Sequence, residues 1–313
     1  MRVFVTRALP GSALERLATE HALEVWPERI PPSREALAEH LAGAEGLLCL
    51  LTDSIDAGLI AAAGSLLAIS NYAVGVDNVD VRAASERGIP VGNTPGVLTE
   101  ATADLAVALM LGASRRLAEG DAYVRRGEWR GWEPDLLLGR DLHGATVGIV
   151  GLGRIGRAVA RRLEGFGCTV LHTSRTSGMP LGELLERSEY VTVHTPLTDG
   201  TRGLIGEREL AAMKPSAYLV NTARGPVVDS GALVLALHEG WIAGAALDVT
   251  DPEPLPAGHP LLDAPNLMVL PHLGSATHAT RERMVDLAVD NLLAALGGER
   301  MPHCVNPEVY EGA

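Results

Sequence analysis

Short apolar runs alternate with amphipathic stretches over residues 1–95, which is the pattern of a parallel α/β unit. The apolar runs predict strands at Val3–Val5, Gly46–Leu51, Leu66–Ser70 and Pro90–Val91. The stretches between them include two predicted helices, Ser33–Ala42 and Val81–Arg87. In the first helix Leu37 and Leu41 lie one turn apart, as burial of one face requires.

A different kind of segment follows at Thr99–Arg116, which is helical in composition and apolar nearly all round. A helix without a polar face must be covered on every side, so we expect it in a domain core, with an oligomer interface as a further cover. The next segment, residues 126–134, breaks the periodicity and contains Trp129 and Trp132. It is predicted to be a loop.

The strand pattern returns at Ala145 and is more regular there. The predicted strands are Thr146–Val150, Thr169–Thr173, Tyr190–His194, Ala217–Asn221, Ala243–Leu247 and Leu267–Leu270. Six strands with helices between them fit a doubly wound nucleotide-binding sheet. A last helix, Arg281–Ala295, places Met284, Leu287, Ala288, Leu292 and Ala295 on one face. The length of 313 residues suits two domains of moderate size.

Composition narrows the class of protein. The net charge of −13 argues against a nucleic-acid partner, although a few local arginines could still bind a small anion. Cys49, Cys168 and Cys304 are far apart and form no Cys-x-x-Cys pair, which indicates a reducing compartment. No signal peptide is visible, and the longest strongly apolar run, Leu105–Leu111, is far shorter than the about 20 residues of a membrane span. We therefore expect a cytoplasmic protein without a membrane partner.

The glycine motif Gly151-x-Gly153-x-x-Gly156 is informative because of its context. A lone motif of this kind is weak evidence, but here an apolar strand precedes it and a helical pattern follows. The first glycine permits the tight turn, the second admits a pyrophosphate and the third lets helix and strand pack closely. A dinucleotide is therefore expected at the start of that helix.

The choice of cofactor depends on the end of the second strand, about 20 residues past the first glycine. NAD-binding proteins place Asp or Glu there, whereas this chain has Ser174, Arg175 and Thr176. Arg175 can pair with a 2′-phosphate and the hydroxyl groups can donate to it. NADPH is therefore predicted, with NADH as the less preferred alternative; the competing interpretation is that Arg175 is simply a solvated loop residue.

Three polar residues follow strands or occupy rigid turns farther along the chain. Arg224 follows the strand that ends at Asn221, Glu253 lies in an Asp-Pro-Glu-Pro turn, and His272 follows an apolar strand. Ligands bind outside the carboxyl ends of the strands in such sheets. An arginine fork can hold a carboxylate and polarise a carbonyl, and a Glu beside a His favours the protonated imidazole that a general acid needs. Each residue alone could be structural, but their order and placement favour catalysis.

These segments resemble the D-isomer-specific 2-hydroxyacid dehydrogenase family over essentially the whole chain, and within it the glyoxylate/hydroxypyruvate reductase branch. The resemblance is carried by Asn71–Asp80, Gly92–Asp104, Gly151–Gly156, Asn221–Gly225, Ala246–Val249, Asp251–Pro254 and Pro271–Thr277. It implies an α/β fold of two doubly wound parallel-sheet domains. A Rossmann nucleotide-binding domain (96–282) would be inserted into a flavodoxin-like substrate domain (1–95 and 283–313), with the cofactor in the cleft between them.

The resemblance also implies roles for individual residues. Arg224 would bind the substrate, His272 would be the acid/base, and Glu253 would support it. The backbone amides of Val74 and Gly75 would hold the substrate carboxylate, and Leu51 would line the pocket. The expected cofactor contacts are Thr102, Gly151, Gly153, Arg154, Ile155, Gly156, Ser174, Arg175, Thr176, Thr195, Pro196, Thr222, Ala223, Asp248, His272 and Gly274, with Asp248 at the nicotinamide carboxamide. No metal is expected.

Members of the family are commonly homodimers that pair through the nucleotide-binding domain, and Trp129 or Trp132 is the candidate to reach the partner's site.

Two alternative functions stay open. A 3-phosphoglycerate dehydrogenase would need basic residues near the substrate phosphate, and the segment Asn93–Asp104 has none. A nucleotide-sensing corepressor would share the fold and bind NAD(H), but the missing acid near Arg175 argues against it. Formate dehydrogenases have glutamine where Glu253 stands.

Overall fold

The computed structural model describes residues 1–311, which form two compact units. The terminal unit comprises Met1–Leu98 and the segment that begins at Thr277, and the central unit comprises Thr99–Ala276. Each unit has its own parallel β-sheet within the described residues. The two doubly wound parallel sheets confirm the predicted α/β class.

The first part of the terminal unit alternates strands with short helices. The strands are β1 (Arg2–Val5), β2 (Ala22–Val25), β3 (Gly46–Cys49), β4 (Ala68–Asn71) and β5 (Val91–Gly92), and the helices are α1 (Ala13–Glu20), α2 (Arg34–Leu41), α3 (Ala57–Ala62) and α4 (Val81–Glu86). The strand order is β2-β1-β3-β4-β5, with every described pair parallel. The order reverses direction between β1 and β3, which is where doubly wound sheets bind ligands at their carboxyl edge.

The predicted strand Gly46–Leu51 is too long, because β3 ends at Cys49. The carboxylate of Asp53 accepts the backbone N–H of Leu50 at 2.7 Å, so the chain turns there instead of extending the ladder. Likewise Pro90 lies outside β5, since a proline has no N–H to give to a sheet. Both corrections move residues from the sheet into loops at its rim.

The central unit repeats the alternation on a larger scale. Its strands are β6 (Thr146–Val150), β7 (Thr169–Thr173), β8 (Tyr190–Val193), β9 (Tyr218–Asn221), β10 (Gly244–Leu247) and β11 (Leu267–Val269). Its helices are α5 (Thr99–Ser114), α6 (Leu117–Arg125), α7 (Arg154–Glu164), α8 (Leu181–Arg187), α9 (Glu207–Ala211) and α10 (Ser230–His238). The sheet order is β11-β10-β9-β8-β6-β7, and the direction reverses between β6 and β8. The motif glycines follow β6 and therefore lie at this reversal.

The apolar helix α5 packs into the core of its own unit. Its buried side includes Ala103, Ala106, Leu109 and Met110, which contact the strands of the sheet and α7. It ends at Ser114 rather than at Arg116, whose φ of 55° starts the next helix. The following helix, α6, buries none of its residues within the chain.

The chain ends with the long helix α11 (His278–Leu296), which belongs to the terminal unit. Met284, Ala288 and Leu292 of the predicted face are buried, together with Val285 and Val289. Burial of each large apolar side chain contributes about 1.5–3 kcal/mol, so this helix is a main element of the core around β3 and β4. No helix among residues 1–311 is long and apolar enough to cross a membrane.

Candidate active site

The turn after β6 is built around Gly151, whose φ of 100° favours glycine. A Cβ atom there would lie 2.7 Å from the carbonyl carbon and oxygen of His194, which follows β8. The backbone N–H of Gly151 donates to the carbonyl of Thr173 at 2.8 Å, so the turn is tied to the end of β7 as well. The turn therefore lies at the junction of three strand ends.

The other two glycines have different surroundings. A Cβ atom at Gly156 would overlap the carbonyl oxygen of Gly151, so helix and turn are in direct backbone contact. Gly153, in contrast, begins α7 and has no atom within 4 Å of its Cβ position. This open space at a helix N-terminus is a cradle for an anionic group. The residues present therefore fit the pyrophosphate of a dinucleotide.

The segment after β7 forms a tight turn that displays Arg175 and Thr176 to solvent. Ser174 and Ser177 close this turn: the Ser174 N–H donates to the Ser177 carbonyl at 2.8 Å, and the Ser177 N–H donates to the Ser174 hydroxyl at 3.1 Å. Gly178, with a φ of 101°, returns the chain against β7. No acidic residue lies in this turn, which carries one exposed arginine.

His194 connects the ends of β8 and β9. Its Nε2 lies 2.9 Å from the Thr192 hydroxyl and its Nδ1 lies 3.3 Å from the Thr222 hydroxyl. Burial lowers the pKa of the His194 imidazole to about 4, so the ring is neutral at physiological pH. Beside it, the Thr195 hydroxyl is buried and has no hydrogen-bond partner within residues 1–311. Such an orphaned hydroxyl fits a site that a bound group completes.

Asp248 follows β10 and holds the loop that carries His272. Its carbonyl accepts the His272 N–H at 2.9 Å, and its two carboxylate oxygens accept the N–H groups of Leu273 at 2.6 Å and Gly274 at 2.8 Å. The Thr102 hydroxyl donates to the Gly274 carbonyl at 3.1 Å. Both oxygens of the buried Asp248 carboxylate are thus engaged by the protein itself. The sequence predicts only a cofactor contact for Asp248, and this second use becomes visible only in the fold.

His272 and Glu253 form a close side-chain pair. The imidazole Nδ1 lies 2.6 Å from Glu253 Oε1, and the two side chains are 23% and 30% exposed. His272 has a φ of 56°, a left-handed conformation that few non-glycine residues adopt. Because Glu253 engages Nδ1, Nε2 is the nitrogen left to exchange a proton with a ligand.

Arg224 is half-buried and lies three residues past the end of β9. The Asn221 side chain donates to the Arg224 carbonyl at 2.8 Å and accepts the Ala223 N–H at 3.0 Å, which fixes this turn. A Cβ atom at Gly225 would overlap the backbone of Thr250, so the turn packs directly on the segment that leads to Glu253. Arg224 and Glu253 are thereby held in one rigid part of the central unit.

The predicted substrate residues of the terminal unit also lie at strand ends. Leu51 is half-buried in the turn after β3, and Val74 and Gly75 are half-buried in the loop after β4. Asn78 ties the two loops together: its amide donates to the Leu50 carbonyl at 2.9 Å and the Asp53 carbonyl at 3.1 Å. Burial raises the pKa of the Asp53 carboxyl, which accepts hydrogen bonds from Thr6 and Leu50 and faces Arg7.

Comparison with known proteins identifies the family. Residues 107–274 match the NAD-binding domain of the D-isomer specific 2-hydroxyacid dehydrogenases. A glyoxylate reductase of Korarchaeum cryptofilum is 48% identical over 99% of this chain and 97% of its own length. The chain belongs to the D-isomer-specific 2-hydroxyacid dehydrogenase family. As a member, it is an oxidoreductase that uses a nicotinamide dinucleotide.

Solved structures agree with this membership. A protein of Thermus thermophilus is 52% identical, with a TM-score of 0.92 over 97% of this chain and 100% of that chain. An NADPH-dependent glyoxylate/hydroxypyruvate reductase of Sinorhizobium meliloti, determined with NADP and malonate, is 36% identical, with a TM-score of 0.86 over 98% and 97%. The resemblance predicted from the sequence is therefore confirmed at the level of the family and its fold.

Proposed function

We propose that the protein is an NADPH-preferring reductase that converts glyoxylate to glycolate and hydroxypyruvate to D-glycerate. The observation that carries this proposal is the His272–Glu253 pair, 2.6 Å apart, in the unit that also contains the glycine cradle and Arg224. The relatives named glyoxylate reductase, at 46–48% identity over nearly the full chain, support the choice of substrate. In this proposal the central unit binds the cofactor.

The cofactor's dihydronicotinamide, when bound, supplies the hydride that reduces the 2-carbon of the acid. His272 donates the proton on Nε2 to the carbonyl oxygen, and Glu253 orients the ring through Nδ1 and stabilises the cationic form before transfer. Arg224 binds the carboxylate and stabilises the negative charge that develops on the oxygen. The N–H groups of Val74 and Gly75 bind the carboxylate as well, and Leu51 covers the substrate's small third substituent.

The cofactor contacts follow the same edge of the central sheet. Gly153 and the backbone at the start of α7, with Arg154 and Ile155, would bind the pyrophosphate. Thr195 and Pro196 after β8, Thr222 and Ala223 after β9, and the loop at Gly274 would line the rest of the dinucleotide. The unpartnered Thr195 hydroxyl supports this assignment.

The test is a turnover assay with purified enzyme, a panel of 2-oxo acids and each cofactor. Glyoxylate and hydroxypyruvate should be reduced rapidly, and 3-phosphohydroxypyruvate should be poor. His272→Ala should lower kcat by about 100-fold or more, as loss of a general acid does. Normal turnover by this variant would refute the assignment of His272. Binding of NAD(H) without turnover by the wild type would instead favour a corepressor-like sensor.

The cofactor preference rests on the turn at Arg175. An exposed guanidinium with flanking hydroxyl groups and no carboxylate suits a 2′-phosphate, which a carboxylate would repel. The Arg175→Ala variant should raise KM for NADPH by about tenfold, the loss of one charge-assisted pair, and leave KM for NADH unchanged. An equal effect on both cofactors would mean that Arg175 acts only on the structure of the turn.

We also propose a homodimer in the cytoplasm. Between residues 117 and 138 the central unit exposes several large apolar side chains: Leu117, Val124, Trp129, Trp132 and Leu138. Trp132 is 84% exposed, and none of the residues of α6 is buried within the chain. We therefore expect a second copy of the chain to cover this apolar surface. A monomer in light scattering at micromolar concentration would refute the dimer. The three free cysteines are in keeping with a reducing compartment.

A further inference from the structure

The loop after β4 has an unusual pattern of backbone hydrogen bonds. Three successive carbonyl groups are each held by a donor of the terminal unit. The Thr94 N–H donates to the Ala73 carbonyl at 2.9 Å, the Asn93 side-chain amide to the Val74 carbonyl at 2.8 Å, and the Asn71 side-chain amide to the Gly75 carbonyl at 2.9 Å.

The N–H groups of the same peptide units have no such partners. Within the described part of the terminal unit, no acceptor binds the N–H of Val74, Gly75 or Val76. A trans peptide is planar and its C=O and N–H point in opposite directions. Each held carbonyl therefore points the following N–H away from the donor that holds it. Successive backbone N–H groups without a protein acceptor can form an anion-binding nest, and we use this name for the N–H groups of Val74, Gly75 and Val76.

We propose that Asn93 is a positioning residue for the substrate carboxylate, because its amide fixes the peptide between Val74 and Gly75. This inference rests on the proposed function, which assigns the carboxylate to these two N–H groups. Without the Asn93 donor the peptide can rotate, and the Val74 carbonyl oxygen can then face the carboxylate. Asn93 itself does not touch the substrate in this account.

Asn93 is well placed for this task because its own backbone is fixed. Its N–H donates to the His303 carbonyl at 3.1 Å, and its carbonyl accepts from the buried Asn291 side chain at 3.0 Å. Asn291 packs so closely that a Cβ atom at Gly92 would lie 2.6 Å from its side-chain nitrogen. The backbone of Asn93 is therefore fixed to α11 and the C-terminal segment. Its side-chain amide in turn holds the loop after β4 in position.

The experiment compares two substitutions at this position. Asn93→Asp keeps the shape of the side chain but replaces the donor with a charged acceptor, whereas Asn93→Ala removes the group. If the residue orients the peptide, KM for glyoxylate should rise about tenfold in Asn93→Ala and further in Asn93→Asp. In both variants kcat should change less than threefold, and KM for NADPH should be unchanged. A residue that only fills space would give the opposite order, with the isosteric Asn93→Asp as the milder change.

The matched control is Asn306→Asp. Asn306 lies beside β5, where its side-chain amide donates to the Ile89 carbonyl at 3.0 Å and its side-chain oxygen accepts the Val91 N–H at 2.7 Å. This variant should lower the melting temperature and leave KM for glyoxylate unchanged. If it raises KM as much as Asn93→Asp does, general disturbance of β5 explains the effect and the inference is overturned.

A binding measurement separates this inference from the proposed function. Oxalate, a dicarboxylate that cannot be reduced by hydride transfer under these conditions, is titrated calorimetrically into each protein with and without NADP⁺. If the wild type reduces glyoxylate and the Asn93 variants keep KM and oxalate affinity within twofold of the wild type, only the role of Asn93 is overturned. If the wild type shows no turnover, the proposed function is overturned. In that case, weaker oxalate binding in both Asn93 variants still supports the nest. A wild type that does not bind oxalate refutes the nest.

Discussion

Lowering the pH should reduce the folding stability of the central unit through protonation of His194. The pKa of this imidazole is about 4 in the folded protein because burial disfavours the cation, against an ordinary value of 6.5. Between these values the unfolded chain binds a proton that the folded chain does not. The contribution of His194 to stability is therefore fully present above pH 6.5 and is lost as the pH falls toward 4.

The size of the effect follows from the shift in pKa. One pKa unit corresponds to about 1.4 kcal/mol, so the fall from pH 6.5 to pH 5 removes about 2 kcal/mol and the whole shift about 3 kcal/mol. Other groups titrate in the same range, and a variant is needed to isolate this one. His194→Gln removes the ionisable ring and, with it, a hydrogen bond worth about 1 kcal/mol at every pH.

The assay is urea unfolding, followed by tryptophan fluorescence at pH 7.5, 6.5 and 5.0 without cofactor. The wild type should lose about 2 kcal/mol more of its free energy of unfolding between pH 7.5 and pH 5.0 than His194→Gln does. His143→Gln, at an exposed position, is the control and should follow the wild type. A difference between wild type and His194→Gln that is the same at all three pH values would refute the reasoning.

Two further predictions concern the active site. Glu253→Gln keeps the side-chain shape but loses the negative charge beside His272, so kcat should fall about 10- to 100-fold while KM for NADPH stays constant; a twofold change or less would argue against the pair. Gly156→Ala should lower the melting temperature, because its Cβ would overlap the Gly151 carbonyl, whereas Gly153→Ala should melt like the wild type and raise KM for NADPH. Equal melting temperatures for the two alanine variants would contradict this view of the cradle.

The sequence alone predicts the strands of the central sheet almost to the residue. Thr146–Val150 and Thr169–Thr173 have the predicted bounds, and four more strands differ by one residue at one end. Parallel strands buried on both faces are continuous apolar runs, and such runs are visible without any tertiary information. The short helices are less uniform, because α2 and α4 were predicted whereas α1, α3 and α6, which bury two residues or none, were not. A short helix that buries few residues gives too few apolar positions for the pattern to separate it reliably from a loop.

The sequence also predicts which residues carry the chemistry. Arg224, Glu253 and His272 stand out because each polar side chain follows an apolar strand or a rigid turn. What the sequence cannot state is which of them meet, because that depends on contacts between residues far apart in the chain. The 2.6 Å contact between Glu253 and His272 joins residues 19 positions apart.

Tertiary structure alone decides how the site is held. The sequence indicates a cofactor contact at Asp248, yet its carboxylate accepts hydrogen bonds from two N–H groups of the loop at His272. The sequence alone assigns no contact to Asn93, yet its side-chain amide donates to the Val74 carbonyl 19 positions away. A hydrogen bond depends on the position and direction of both groups, and only the folded chain sets these. Residue types and their order therefore identify the family and the candidate catalytic residues. The long-range hydrogen bonds determine the positions in which those residues are held.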